Sequence, residues 1–206
     1  MEHRLAGWPL VWQRLELADA AAAAGARERA ARLARARFEL ATLPEVPVVS
    51  AIRRLFRQAG TDPTRYRPSS EALLRRLLKG EELPVIHPLV DVNNCISVAL
   101  AVPCCVMAEG SIDGAVTLRR GEAGERMDSL RGPFDLEGKP LLADGAGPFG
   151  TPITDSHRVA IQPDSTRGWM VAYLPAESPP ERVADAWSEL ALDAVAAASP
   201  PLVTGE

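Results

Sequence analysis

Pro103 separates two stretches of the chain that have different apolar patterns. Before it, apolar residues recur mainly three or four positions apart over long segments, which is typical of amphipathic helices. After it, short apolar pieces are separated by glycine, aspartate and proline, which is typical of strands joined by tight turns. Helices first and strands second, without an internal repeat, predict an α+β fold in which N-terminal helices pack on a mixed or antiparallel sheet.

The segments before residue 80 predict one strand and three helices. Gly25 is expected to delay the first helix to about residue 26, and Gly60 to end the second. The hydroxyl of Ser69 or Ser70 is expected to cap the third, which stops at Gly80. The predicted elements are a strand at 10–17 and helices at about 26–41, 48–59 and 69–79.

The segment 88–102 is apolar and bounded by prolines, and its length fits either a helix or a strand. Apolar residues at helical spacing predict a closing C-terminal helix over about 180–198. Strands of the sheet are predicted within 115–118, 140–143 and 169–174.

Charge is unevenly distributed along the chain. The formal net charge is −4, yet residues 27–79 contain 13 Arg or Lys and 5 Asp or Glu. A basic segment in an otherwise acidic chain favours an anionic partner such as RNA, whereas the alternative is a solvated helix surface.

Several classes of protein are disfavoured. No run approaches the ~20 apolar residues of a membrane span, and no secretory signal is recognisable, so a cytoplasmic protein without membrane contact is expected. The cysteines are odd in number and the histidines are scattered, so we expect reduced thiols and neither a metal nor an organic cofactor. These residues are Cys95, Cys104, Cys105, His3, His87 and His157.

Four segments in a fixed order carry a family resemblance. They are Gly60 to Arg76 (GTDPTRYRPSSEALLRR) followed by Lys79-Gly80 and Leu83-Pro84, then Leu89 to Ser97 (LVDVNNCIS), then Leu118-Arg119-Arg120 with Gly124-Glu125, and finally Thr154-Asp155-Ser156-His157-Arg158 with Ile161. Their order and spacing resemble the B3/B4 domain, the tRNA-editing domain of the bacterial phenylalanyl-tRNA synthetase β subunit, in a free-standing form. The match covers about 49–174. Residues 1–206 are then a single B3/B4-like domain with the strand and helix of 10–41 before the match and the helix of 180–198 after it.

The resemblance implies that 88–102 is a helix beside a pocket, and that the chain binds the acceptor end of tRNA, not DNA, and hydrolyses mischarged aminoacyl-tRNA in trans. An aminoacyl ester is already activated, so its hydrolysis needs mainly a positioned water and donors for the oxyanion. The candidates for placing water and ribose are Asn94, Glu125 and Asp155. The candidates for substrate binding are Asn93, Ser97, Arg119, Arg120, Gly124, Ser156 and Arg158, and those for RNA binding are Arg53, Arg54, Arg57, Arg75 and Arg76.

Structural roles are the alternatives for many of these residues. Asp91 suits a helix cap, and Gly124 suits a turn. The segment from Asp155 to Arg158 suits a local turn made by side-chain to backbone bonds. Glu71 is expected to be a helix-surface charge together with Arg75 and Arg76.

One departure from the family limits the functional prediction. Where the synthetase-linked domain carries a histidine soon after a proline-containing turn, this chain reads Pro103-Cys104-Cys105-Val106. The editing chemistry therefore does not carry over residue by residue. A thiol nucleophile at these cysteines has no supporting motif. The alternatives to an editing enzyme are a non-catalytic RNA-binding module, or a protein that binds or hydrolyses a small molecule such as an amino acid.

Overall fold

The computed structural model describes residues 1–205 and has the predicted α+β fold. The helices are α1 (Ala23–Arg37), α2 (Pro47–Ala59), α3 (Ser69–Leu78), α4 (Pro88–Leu100) and α5 (Arg182–Glu189). The strands are β1 (Glu2–His3), β2 (Leu10–Leu17), β3 (Cys104–Ala108), β4 (Thr117–Arg120), β5 (Arg126–Ser129), β6 (Gly132–Asp135), β7 (Pro140–Asp144), β8 (Gly147–Gly150), β9 (Arg167–Tyr173), β10 (Ala196–Ala198) and β11 (Leu202–Thr204).

The strands form two sheets and a hairpin. The larger sheet has the order β10-β2-β9-β3, with β11 also paired to β2. The second sheet has the order β1-β4-β7-β8, and β5 and β6 form the hairpin. All pairs of strands are antiparallel except β1 with β4, so the sheets are mixed as predicted.

The larger sheet separates two hydrophobic cores. Successive side chains of a strand point to opposite faces, so β3 places Cys104 in the core that contains α1, α4 and α5, and Cys105 in the core on the other face. The second core includes Ile52 and Phe56 of α2 and residues of β4, β7 and β8. Helix α4 is buried on nearly all sides, which brings its polar residues into the interior.

The predictions for β2, α2 and the 88–102 helix are confirmed. Gly60 ends α2 with a φ of 92°, a left-handed conformation that glycine adopts without steric cost. At the start of α4, His87 Nδ1 accepts a hydrogen bond from the Leu89 amide. Asp91 is therefore not the cap: its carboxylate pairs with Arg27 of α1 and accepts a hydrogen bond from Ile86 N.

The expected start of α1 and the expected serine cap of α3 are wrong. Gly25 lies inside α1, because Asp19 Oδ1 accepts a hydrogen bond from Ala21 N and starts a helical turn ahead of α1. No serine caps α3: Pro68 precedes it, and Ser70 Oγ donates instead to Ala101 O at 3.3 Å. Both differences come from tertiary or capping contacts that outweigh local propensity.

The predicted C-terminal helix is much shorter than expected. Helix α5 ends at Glu189, and Ala191 adopts a left-handed conformation with a φ of 48°. The alanines after it pair with β2 as strand β10. Alanine favours helices in isolation, so here the hydrogen bonds of a sheet edge override its propensity.

Candidate functional site

A cavity of about 650 Å³ opens between α3, α4, β3 and the segment after β8. Its walls combine apolar side chains with buried polar groups, and its mouth carries several cations. Such a combination is typical of ligand sites. The lining residues are Arg67, Ser69, Ala72, Leu73, Arg75, Arg76, Lys79, Glu81, Pro84, Ile86, Val90, Asn93, Asn94, Cys104, Val106, Leu130, Arg131, Thr151, Ile153, Thr154, Asp155, Ala160 and Ile161.

Two neighbouring amides of α4 line this cavity. Asn93 and Asn94 are buried, and the Asn93 amide nitrogen donates to Asn94 Oδ1 at 3.4 Å. Asn93 Oδ1 is buried without a hydrogen-bond partner. Because an unpaired buried polar atom costs free energy, this oxygen is available to a donor on a ligand.

Asp155 supplies a carboxyl group to the same cavity. The residue as a whole is partly exposed, but its Oδ1 is buried and has no hydrogen-bond partner. Burial raises the pKa of Asp155 to about 7, because an apolar environment disfavours the charged form. A carboxyl that changes charge near neutral pH is suited to general acid or base chemistry.

Gly150 makes room for this carboxyl group. A Cβ at Gly150 would lie 3.5 Å from Asp155 Oδ1, 3.7 Å from Cys105 Sγ and 3.7 Å from the Tyr173 hydroxyl. Three polar groups therefore converge on the backbone of this glycine. The Cys105 thiol also donates to Thr151 O at 3.3 Å.

A rigid turn presents Asp155 to the cavity. Thr151 Oγ1 donates to Thr154 O at 2.7 Å and accepts from Ile153 N at 3.1 Å and Thr154 N at 2.9 Å. The turn is therefore closed by one side chain, which fixes the position of the residue that follows it.

Two of the cations that line the cavity, Arg67 and Arg75, pair with a buried carboxylate. Glu71 of α3 is 1% exposed and lies 2.8 Å from Arg53, 2.9 Å from Arg75 and 3.6 Å from Arg67. The prediction that Glu71 is a surface charge is wrong, because α3 turns this residue towards Arg53 of α2. Arg67 and Arg75 reach the cavity from this cluster.

The structure brings together some of the sequence-predicted site residues. Asn93, Asn94 and Asp155 line one cavity although they are far apart in sequence, and Arg75 and Arg76 line it as well. Ser97 lies one turn further along α4 and donates to Val102 O at 2.8 Å, outside the cavity.

Glu125 and Arg119 lie outside the cavity and bind each other. Two nitrogens of Arg119 donate to the two carboxylate oxygens of Glu125 at 2.6 and 2.8 Å. This bond lowers the pKa of Glu125. Gly124 has a φ of 74°, a left-handed conformation that forms the turn beside this pair.

Arg120 also lies outside the cavity. It packs against the backbone at Gly60, where a Cβ would lie 2.6 Å from Arg120 Nη2.

Arg158 and Ser156 also lie outside the lining of the cavity. Arg158 binds Asp144 at 2.9 Å beside the turn between β7 and β8. Ser156 Oγ accepts from Arg158 N at 3.2 Å and donates to Asp128 O at 3.1 Å. The alternative of a local turn is thus confirmed for Ser156.

The remaining predicted RNA-binding arginines lie on α2. Arg53 is bound to Glu71, and Arg54 is paired with Glu177 on the surface. Arg57 is exposed. These three do not line the cavity.

Several residues that line the cavity are not among the predicted site residues. Arg67, Ser69 and Lys79 lie in or beside the first of the four family-like segments, so their position in that segment could have indicated them. Thr151 and Arg131 lie in turns that no sequence pattern marks.

Within residues 1–205 no group of three His, Cys, Asp or Glu is arranged to hold a metal. No helix there is long and apolar enough to cross a bilayer. The three cysteines are free and buried, and burial raises the pKa of Cys95 to about 12.

The comparison with family models agrees with the family resemblance of the four segments. The family model described as the B3/4 domain matches residues 51–193, which is more than half of the chain and extends further towards the C-terminus than the predicted match. A similar solved structure is the N-terminal fragment of the phenylalanyl-tRNA synthetase β-subunit from Pyrococcus horikoshii, with 13% identity and a TM-score of 0.43. The alignment covers 60% of this chain and 47% of that one. A search of curated proteins gave no match.

Proposed function

Because the chain belongs to the B3/4 domain family, we propose that it binds the acceptor end of tRNA and hydrolyses a mischarged amino acid from it. The observation that carries the proposal is one cavity that combines a carboxyl group with a pKa of about 7, two buried amides and a cationic mouth.

The size and lining of the cavity suit an aminoacyl group. Its volume of about 650 Å³ lies within the range of small-molecule sites, ~300–1,000 Å³. Apolar residues such as Leu73, Val90 and Ile153 offer contacts to a side chain. The polar groups of Asn93, Asn94 and Asp155 offer hydrogen bonds to the ester and to water.

In the proposed reaction, these groups hydrolyse the aminoacyl ester by general base catalysis. Above pH 7 the Asp155 carboxylate accepts a proton from a water molecule, whose oxygen attacks the ester carbonyl carbon. The amides of Asn93 and Asn94 donate to the carbonyl oxygen as it gains negative charge. The bond from carbon to the ribose oxygen then breaks, and that oxygen takes the proton back. The products are a free amino acid and uncharged tRNA.

Deacylation of a panel of mischarged tRNAs tests this proposal directly. Release of amino acid above the buffer rate is expected from at least one member of the panel, with heat-denatured protein as the control. Release at the buffer rate from every member would refute the catalytic proposal.

Non-catalytic RNA binding is the second candidate function. The observation in its favour is that Cys104, with a buried thiol, lines the cavity where the sequence lacks the histidine of the family. This candidate requires tRNA binding that weakens with salt, because cations that neutralise phosphates release counterions. Binding without deacylation across the panel would favour it.

A further inference from the structure

A pair of buried polar side chains lies behind Asp155 and does not line the cavity. Cys105 of β3 and Tyr173 of β9 belong to the core that also contains α2. Cys105 pairs with Val171 across the two strands, and Tyr173 follows Val171 by two residues, so both side chains project to the same face of the sheet. A Cβ at Gly150 would lie within 3.7 Å of the Cys105 thiol, the Tyr173 hydroxyl and Asp155 Oδ1. The two side chains therefore meet the buried oxygen of this carboxyl group.

The hydrogen bonds of these groups are incompletely matched. The Cys105 thiol has one proton, and both Thr151 O at 3.3 Å and the Tyr173 hydroxyl oxygen at 3.5 Å lie within its reach. Within residues 1–205 the Tyr173 hydroxyl has no partner besides this thiol, whose sulfur is a weak acceptor. Asp155 Oδ1 has no partner among the residues that the structure describes. A hydroxyl with a weak acceptor thus lies beside a carboxyl oxygen without a donor.

Both side chains keep their protons at neutral pH. Burial raises the pKa of the Cys105 thiol and of the Tyr173 hydroxyl well above their ordinary values, because an apolar environment disfavours the charged forms. Asp155 differs from them, because its pKa is about 7. When Asp155 loses its proton, two neutral donors therefore lie beside the new negative charge. Hydrogen bonds to an ionised acceptor are about twice as strong as those between neutral groups.

We propose that Tyr173 and Cys105 are positioning residues for Asp155, which donate hydrogen bonds to Oδ1 of its carboxylate and leave Oδ2 to accept the proton of a water molecule. The use of Asp155 as a base rests on the proposed function, whereas the hydrogen bonds do not. Donation to the ionised form favours that form and so opposes the effect of burial. The two donors thereby keep the carboxylate available near neutral pH and fix its rotation.

Other charged groups near Asp155 are left unchanged by the test. Arg131, in the turn between β5 and β6, lowers the pKa of Asp155. His157 is exposed, and Arg158 is bound to Asp144. The titratable side chains of α3, of the segment after it and of β3 that line the same cavity are Arg67, Arg75, Arg76, Lys79, Glu81 and Cys104.

The test removes each donor and compares the result with a matched control. Tyr173→Phe removes the hydroxyl and keeps the ring, whose centroid lies 6.1 Å from that of Trp8. Cys105→Ala removes the thiol, and Cys105→Ser keeps a donor at the same place. The controls are Tyr66→Phe, at the other tyrosine of the chain, and Cys95→Ala, at a buried cysteine of the other core. Neither control residue lines the cavity.

Two pH values report on Asp155 in each protein. The first is the inflection in the rate of deacylation against pH. The second needs no tRNA and comes from urea denaturation between pH 5 and pH 9. It uses the difference in free energy of unfolding between each protein and the same protein with Asp155→Asn. This difference changes with pH only while the native and unfolded states bind different numbers of protons at Asp155, so it levels off just above the native pKa.

Tyr173→Phe and Cys105→Ala are each expected to move both pH values upward by about one unit or more, the effect of losing a hydrogen bond to a charged group. The rate at pH 7 should then fall about fivefold or more, because fewer molecules hold an ionised carboxylate, while the rate at pH 9 should change little. Cys105→Ser should restore the pH values of the parent, and both controls should keep them.

A loss of stability alone does not support the positioning role. Variants with a lower Tm whose two pH values stay with the parent would overturn the proposal, and so would a downward shift of either value. A rise in the pH at which the stability difference levels off supports the hydrogen bonds even if no tRNA in the panel is deacylated, a result that refutes only the proposed function. Deacylation with unmoved pH values in Tyr173→Phe and Cys105→Ala keeps the proposed function and overturns the positioning role.

Discussion

Replacing Asp155 with asparagine is expected to lower kcat for deacylation by a factor of about 10²–10⁴, the usual contribution of a general base. The amide keeps the shape of the side chain but cannot accept a proton from water. Steady-state kinetics on the tRNA that the parent deacylates fastest measure this effect. A variant with more than a third of the parent kcat would exclude Asp155 as the base.

The pH dependence of the parent enzyme gives a second readout of the same group. Because burial raises the pKa of Asp155 to about 7, the rate of deacylation should rise with pH through about 7 and level off above it. Asp155→Asn should remove this inflection from any residual rate.

Asp155→Asn should lower the rate of deacylation but raise the stability of the folded protein. The native state holds the Asp155 proton more tightly than the unfolded state, whose carboxyl titrates near pH ~4. The stability contributed by the neutral carboxyl is therefore lost progressively as pH rises from ~4 to about 7, and the loss is complete above that. Asp155→Asn is expected to raise Tm at both pH 5 and pH 8, and to raise it more at pH 8, because the unfolded carboxyl is already mostly ionised at pH 5. A fall in Tm at both values would mean that the reduced activity reflects damage to the fold.

Replacing Glu71 with glutamine is expected to lower the free energy of unfolding by about 3 kcal/mol, as when one partner of a buried ion pair is removed. The substitution preserves shape but leaves Arg53 and Arg75 without their common carboxylate. Their side chains are only 14% and 26% exposed, so water replaces the missing partner poorly. Urea denaturation measures the difference.

Glu189→Gln provides the matched control for Glu71. Its carboxylate also binds an arginine, Arg37, at 2.7 Å, but both side chains are 40% exposed. Surface pairs of this kind contribute less than about 1 kcal/mol. Equal effects of the two substitutions would show that the Glu71 cluster behaves as an ordinary surface network.

The elements that were predicted well are those whose local pattern agrees with their environment. Helix α2 repeats its apolar residues with the period of its buried face, and Gly60 adopts the left-handed conformation that ends this helix. The alanines of β10 are predicted as helix because their intrinsic preference is helical. Only their pairing with β2 makes them a strand, and such long-range pairing leaves no local signal.

The sequence predicts the candidate site only where the order of the motifs indicates which residues lie close together in the fold. Asn93, Asn94 and Asp155 follow from the family resemblance, and they line one cavity. The sequence could not show that Glu125 is bound by Arg119, because a charged residue near a glycine turn suits a site and an ion pair equally well. The burial of Glu71 was missed for a similar reason, since its partner Arg53 belongs to another helix.

Adjacent side chains of β3 face different cores, so Cys104 and Cys105 can serve as two separate spectroscopic reporters. The Cys104 thiol faces the cavity, so its carbon resonances should respond to occupancy by a ligand. The Cys105 thiol meets Asp155 at Gly150, so its resonances should respond to the charge on that carboxyl. In protein with isotope-labelled cysteine, one spectrum would then follow ligand occupancy and protonation as separate signals from adjacent residues.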